Sequence, residues 1–201
     1  MQPQATCSAI LWIVGLIIMG GISMRPPQGS AQDTRWEHDM AAGAQAYQNG
    51  QETQAETFYR TALEALHNTG PEDPRLAATL NTLAVLYHTQ GKYAQAEPLY
   101  QRVLKLLEQT IGPDHPTLAT TLNNLAVVSE AQNKYAAAAL LYQRAVALME
   151  RTLGPEHPNL AAALDNYADL LRKMQREAEA ESAEARAKAI WAKQKGEMGG
   201  K

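Results

Sequence analysis

The sequence predicts an all-α array of antiparallel helix pairs, about four in number, preceded by an apolar N-terminal segment. Three observations carry this. The stretch GPEDPRLAATLNTLA from Gly70 returns as GPDHPTLATTLNNLA from Gly112 and GPEHPNLAAALDNYA from Gly154, each 42 residues after the last. The segments that follow match as well, GKYAQAEPLYQRVLKLLEQTI from Gly91 and NKYAAAALLYQRAVALMERTL from Asn133. A fainter copy, GQETQAETFYRTALEALHNT from Gly50, stands 41 residues upstream of Gly91. Self-similarity at such a period marks a repeat architecture, in which each unit buries its apolar face on its neighbours.

The first helix of each unit starts at a proline. Pro74, Pro116 and Pro158 suit the first helical position, where the missing N–H is no loss. Asp73, His115 and His157 precede them, and Asp114 or Glu156 favours the positive helix end. Gly112-Pro113 stops the preceding helix. The predicted first helices span 74–90, 116–132 and 158–174, with Leu76, Leu80, Leu83, Ala84 and Tyr87 at helical spacing. The second helix covers about Tyr93 to Thr110, with Ala96, Tyr100, Val103, Leu104 and Leu107 on its apolar side. The short Gly91-Lys92 turn makes the pair antiparallel. Ala84, Ala126 and Ala168, facing Ala55, Ala96, Ala138 and Ala180, let the backbones approach closely. Tyr59, Tyr100 and Tyr142 are expected as core anchors, and Pro98 should bend its helix by removing a hydrogen bond.

Composition limits the function classes. A net charge of −3 makes no strong electrostatic case for nucleic acid, which would favour a basic face. The single cysteine, Cys7, allows no intrachain disulfide or thiolate metal site. His115 and His157 lie in different units without a third ligand, so no metal is expected and the Asp–His pairs read as caps and turns. No nucleophile stands with a base and no phosphate loop occurs; Ser129 is simply the counterpart of Tyr87. The chain is therefore expected to be no enzyme, with no catalytic residues and no cofactor.

These residues resemble the tetratricopeptide repeat, and the 42-residue period resembles kinesin-light-chain-type repeats. HPTLATTLNNLA, Gly91-Lys92-Tyr93, Ala96-Glu97-Pro98-Leu99-Tyr100 and Gly112-Pro113 carry the likeness, which covers roughly Trp36 to Trp191. The resemblance implies a right-handed superhelical array whose concave groove, lined by first helices, holds peptides or partner proteins. The expected organisation is a signal peptide or membrane anchor over 1–31, an array over 32–195 (units 36–69, 70–111, 112–153 and 154–195) and a disordered tail over 196–201. The Glu/Ala-rich helix near the C-terminus reads as a polar end unit, with Glu184 in the place of the core tyrosine.

Ser8 to Met24 carries no charge. Gly29-Ser30-Ala31 resembles a small-x-small cleavage site, so export to the periplasm or outside is expected after cleavage near Ala31. No Lys or Arg precedes the apolar run, whereas Arg25 and Arg35 follow it, which keeps open an uncleaved anchor through residues 8–24.

A helical wheel at 100° per residue separates core from free face. Leu83, Ala84 and Tyr87 fall within about 60° of Leu80, while Asn81, Val85 and His88 occupy a stripe about 100° away. The equivalent stripe holds Asn123, Val127 and Glu130 in the next unit, and Asp165, Asp169 and Arg172 in the last; Asn124 falls at its far edge. These ten residues are the candidate peptide- or partner-binding set. Amides suit an extended chain, since each offers donors and an acceptor to backbone groups. The resemblance points the same way, because groove asparagines of such repeats contact bound peptide. The competing reading is that the amides brace adjacent helices or meet only water. The function expected is a binding module for a protein or peptide. The alternatives are a self-associating or architectural subunit of an envelope complex, or a membrane-anchored cytoplasmic scaffold. A membrane is expected to be touched only through the N-terminal segment.

Overall fold

The computed structural model describes residues 31–198, and the apolar run, the cleavage junction through Ser30 and the last three residues lie outside them. Among the described residues eight helices follow one another: α1 (Ala31–Gln48), α2 (Glu52–Ala65), α3 (Pro74–Thr89), α4 (Tyr93–Thr110), α5 (Pro116–Ala131), α6 (Tyr135–Leu153), α7 (Pro158–Lys173) and α8 (Glu177–Met198). No helix among them is long and apolar enough to cross a membrane. The chain divides into two compact units, the first ending at Leu83 and the second beginning at Ala84.

The first helices start at the expected prolines and end one residue before the expected bound. His115 Nδ1 accepts from Thr117 N–H at 3.2 Å, and His157 Nδ1 from Asn159 N–H at 3.1 Å. In the first copy Asp73 Oδ1 does the same for Arg75 N–H at 3.0 Å. Both imidazoles are thus N-caps, which puts the neutral ring's proton on Nε2. The histidines that could have passed for chemistry satisfy helix ends.

The turn inside every pair follows one recipe. The amides of Gln51, Lys92, Lys134 and Arg176 bond back to the carbonyls of Ala46, Tyr87, Ser129 and Leu171 at 2.8 to 2.9 Å. Those of Gly50, Gly91, Asn133 and Gln175 bond to Tyr47, His88, Glu130 and Arg172. This is the Schellman arrangement, which needs one residue at positive φ. Gly50 and Gly91 supply it at 73° and 71°, and Asn133 and Gln175 are driven to 61° and 60°.

In the first unit α1 packs on α2. Gly43 holds the place of Ala84, Ala126 and Ala168, and a Cβ there would lie 2.5 Å from the Tyr59 ring. The thin sequence of α1 is therefore where the tyrosine seats. Arg75 ties α1 to α3 by ion pairs to Asp33 and Asp73, and its guanidinium stands 5.6 Å from the Trp36 ring centre. Trp36 Nε1 donates to Thr79 Oγ1 at 2.8 Å. α2 is shorter than its counterparts α4 and α6.

In the second unit α4 packs on α5, α5 on α6, α6 on α7 and α7 on α8, and α5 also meets α7. Ala96, Ala126, Ala138, Ala168 and Ala180 are all sealed, as are Tyr100 and Tyr142. Helix α4 runs through Pro98 without interruption, its ring facing solvent. Two ladders of ion pairs recur with the repeat: Glu108–Arg144 and Glu150–Arg186 link successive second helices, while Asp114–Arg151 and Glu156–Lys193 link loops to the next pair. Helix α8 continues to Met198, past the bound of 195 expected for the array.

Candidate functional site

The candidate residues separate into three groups. Asn123 and Val127 on α5 and Asp165 on α7 are half-exposed, with Thr120 and Ala162 beside them. Together they form a strip along two adjacent first helices, above a floor of sealed residues that includes Leu118, Leu122, Leu160 and Leu164. Asp169 extends it into solvent. Asn81 is half-buried on the part of α3 belonging to the first unit.

Two of the expected residues are covered instead. Val85 is 4% exposed and Asn124 only 6%. A wheel drawn for one pair leaves out the neighbouring pairs, and α5 is flanked by α4, α6 and α7 at once. The stripe open in an isolated hairpin is consequently narrower in the stack. Val127, also on that stripe, rests against a cluster of Ala126, Ala138, Ala139, Tyr142 and Leu170.

The third group is engaged within the protein. Glu130 accepts from Tyr142 Oη at 3.0 Å and from Lys173 Nζ at 2.8 Å. The pair raises the Lys173 ammonium's affinity for its proton, and burial followed by the Glu130 charge raises that of the Tyr142 phenol. Arg172 pairs with Glu184, with Glu177 at 3.3 Å and with Asp169 at 3.5 Å. His88 leans on Tyr93 with ring centres 5.8 Å apart, and burial lowers its basicity. Asn166 Nδ2 stands 3.5 Å from Asn123 Oδ1, at the limit of a hydrogen bond. This contact between α5 and α7 would occupy one acceptor and leaves the Asn123 NH₂ group unassigned.

Asp165 has a partner the helical wheel did not show. Trp191 Nε1, from α8, donates to Asp165 Oδ2 at 2.9 Å. Trp191 stands where Leu107 and Met149 stand in the earlier pairs, so its sequence signal was that of a core residue. Ser129 is 2% exposed and sealed inside the second unit, away from any role as an accessible nucleophile.

A tetratricopeptide repeat family model matches residues 38–109, 89–151 and 141–193. No curated protein sequence matches the chain. Among solved structures, BtubC (BKLC) from P. vanneervenii is 23% identical with a TM-score of 0.76, over 85% of this chain and 68% of that one. A putative kinesin light chain of nearly identical TPR-like repeats from Podosopora anserina is 22% identical with a TM-score of 0.69, over 92% and 85%. The N-terminal domain of stress-induced protein-1 (STI-1) from C. elegans is 16% identical with a TM-score of 0.54, over 71% and 98%. At these identities the likeness is one of fold.

Proposed function

The chain belongs to the tetratricopeptide repeat family, and from that premise we propose that it is a non-enzymatic binding module that holds an extended peptide segment of a protein partner. The half-exposed strip on α5 and α7 carries the reading. Asn123, Val127 and Asp165 stay accessible there while the leucines around them are sealed. Such a strip offers amide groups to a peptide backbone, an apolar contact at Val127 and a carboxylate at one end. Because the helices beneath it are packed and capped, little ordering is needed on binding, which favours affinity from a short contact. The residues with catalytic potential support the non-enzymatic reading: His115 and His157 are caps, and Ser129 is sealed.

The same proposal includes export. Asp33, whose ion pair with Arg75 ties α1 to α3, lies just beyond the cleavage junction. Cleavage near Ala31 would leave that pair in place, and N-terminal sequencing of the purified protein tests it: a start near Gln32 is expected, a start at Met1 contradicts it.

Binding is tested with an array of unstructured 12-residue peptides probed with the full chain. A subset should be captured by the wild type and lose at least about fivefold in affinity with Asn123→Ala, roughly one lost polar contact. Helicity by circular dichroism should stay unchanged. Capture indifferent to Asn123 would remove the strip as the binding surface.

A further inference from the structure

The end of this strip has a chemistry of its own, and the inference drawn from it rests on the peptide-binding reading above. In the two preceding pairs the position of Trp191 is filled by Leu107 and Met149, exposed to only 8% and 2%. Among the described residues no helix pair follows α8, and Trp191 is 36% exposed. Its indole N–H is used on Asp165 Oδ2, so the ring is held with its edge at the carboxylate. The ring is thereby tethered beside a negative charge that it only half satisfies. Asp165 Oδ1 makes no described bond, and a carboxylate can accept several.

The described cations nearby are committed elsewhere. Arg172 is taken by Glu184, Glu177 and Asp169, Lys173 by Glu130, Lys188 by Glu184 and Lys193 by Glu156. Among the described residues no ion pair reaches Asp165. A half-buried carboxylate without a cation, next to an exposed indole, offers the two attractions that a guanidinium or ammonium combines. These are Coulomb attraction to the acid and cation–π attraction to the ring, the latter strongest for tryptophan.

We infer that Trp191 and Asp165 form the subsite for a cationic side chain, an Arg or Lys of the bound peptide, at the α7–α8 end of the strip. Charge complementarity selects this occupant over a second copy of the chain. The positions on α8 that would continue the ladder of acids at Glu108 and Glu150 hold Ala192, so no acid stands there to pair with the next helix.

The test follows the Trp191 indole N–H resonance of the ¹⁵N-labelled full chain, assigned by its loss in Trp191→Phe. N-acetyl-argininamide should move it saturably, and the neutral N-acetyl-glutaminamide should not. Asp165→Asn keeps an acceptor for the indole but removes the charge, and should weaken the response by about fivefold, the scale of one exposed cation–π and charge contact. Equal shifts from the two compounds, or an Asp165→Asn response equal to wild type, would overturn the subsite. A resonance that moves with protein concentration and ignores the cation would also overturn it, in favour of a second copy. The peptide array separates the two levels. Capture indifferent to replacing Arg by Gln in the peptide, yet lost with Asn123→Ala, defeats the cation subsite alone. A saturable argininamide shift with no peptide captured defeats the strip reading alone.

Discussion

Tyr142 donates a 3.0 Å hydrogen bond to Glu130, twelve residues earlier on the other helix of its pair. One repeat on, the same two positions hold Glu184 and Arg172, joined as an ion pair. One repeat back they hold Tyr100 and His88; there His88 leans on Tyr93, and the sealed Tyr100 hydroxyl has no hydrogen-bond partner among the described residues. The position is a polar bolt between the two helices of a pair, written three ways and closed in two.

Removing the hydroxyl should therefore have opposite consequences at the two tyrosines. Tyr142→Phe deprives a half-buried carboxylate of a donor and should cost about 1 kcal/mol. Tyr100→Phe removes an orphaned buried hydroxyl and should be neutral, or stabilising by up to about 1 kcal/mol. Urea unfolding midpoints of the two variants check this, and equal losses would refute the difference.

The caps give a second expectation. His115→Ala should cost about 1 kcal/mol, the usual worth of an N-cap side chain. His115→Asp should recover it, because Asp73 caps α3 in the same way. Thermal unfolding followed at 222 nm distinguishes the two variants.

Positive φ at a residue with a side chain carries a backbone cost. Gln175 adopts 60° where the first two copies have glycine. Gln175→Gly should stabilise the chain by up to about 1 kcal/mol, and Asn133→Gly by less, since asparagine tolerates this region better. Denaturant midpoints that fall in both variants would contradict the assignment.

Acid should weaken the fold through two paired carboxylates. The side-chain hydrogen bond from Arg75 lowers the Asp73 pKa, and the bond from Lys134 lowers that of Glu97. A depressed folded pKa gives stability that is complete above the unfolded value, near 4 for such groups, and is lost as pH falls through the folded value. Stability should thus decline below about pH 4.5. Asp73→Asn can still cap α3 but carries no titrating charge, so it should flatten the decline in unfolding midpoints measured from pH 6 to 3.

The helices were legible because their punctuation is local. Pro116 with His115, and Gly91 with Lys92, mark ends through the backbone of a few residues, and the period repeats the message. The free face was less legible because exposure depends on other pairs. Asn124 and Val85 are covered by neighbours that a wheel for one helix does not contain. Glu130 and Arg172 meet partners twelve residues on, across the turn of their own helix pair, where a wheel for one helix does not reach. Trp191 sits in a core register, and its bond to Asp165 joins two helices that a wheel for one helix does not hold together.

A peptide held in this way lies along α5 and α7, the first helices of the second unit. Hydrogen–deuterium exchange of the full chain, with and without a captured array peptide, tests it most directly. Added protection should fall on α5 and α7 and spare α4 and α6. Protection confined to α4 and α6, or none on α5 and α7 at saturating peptide, would contradict it.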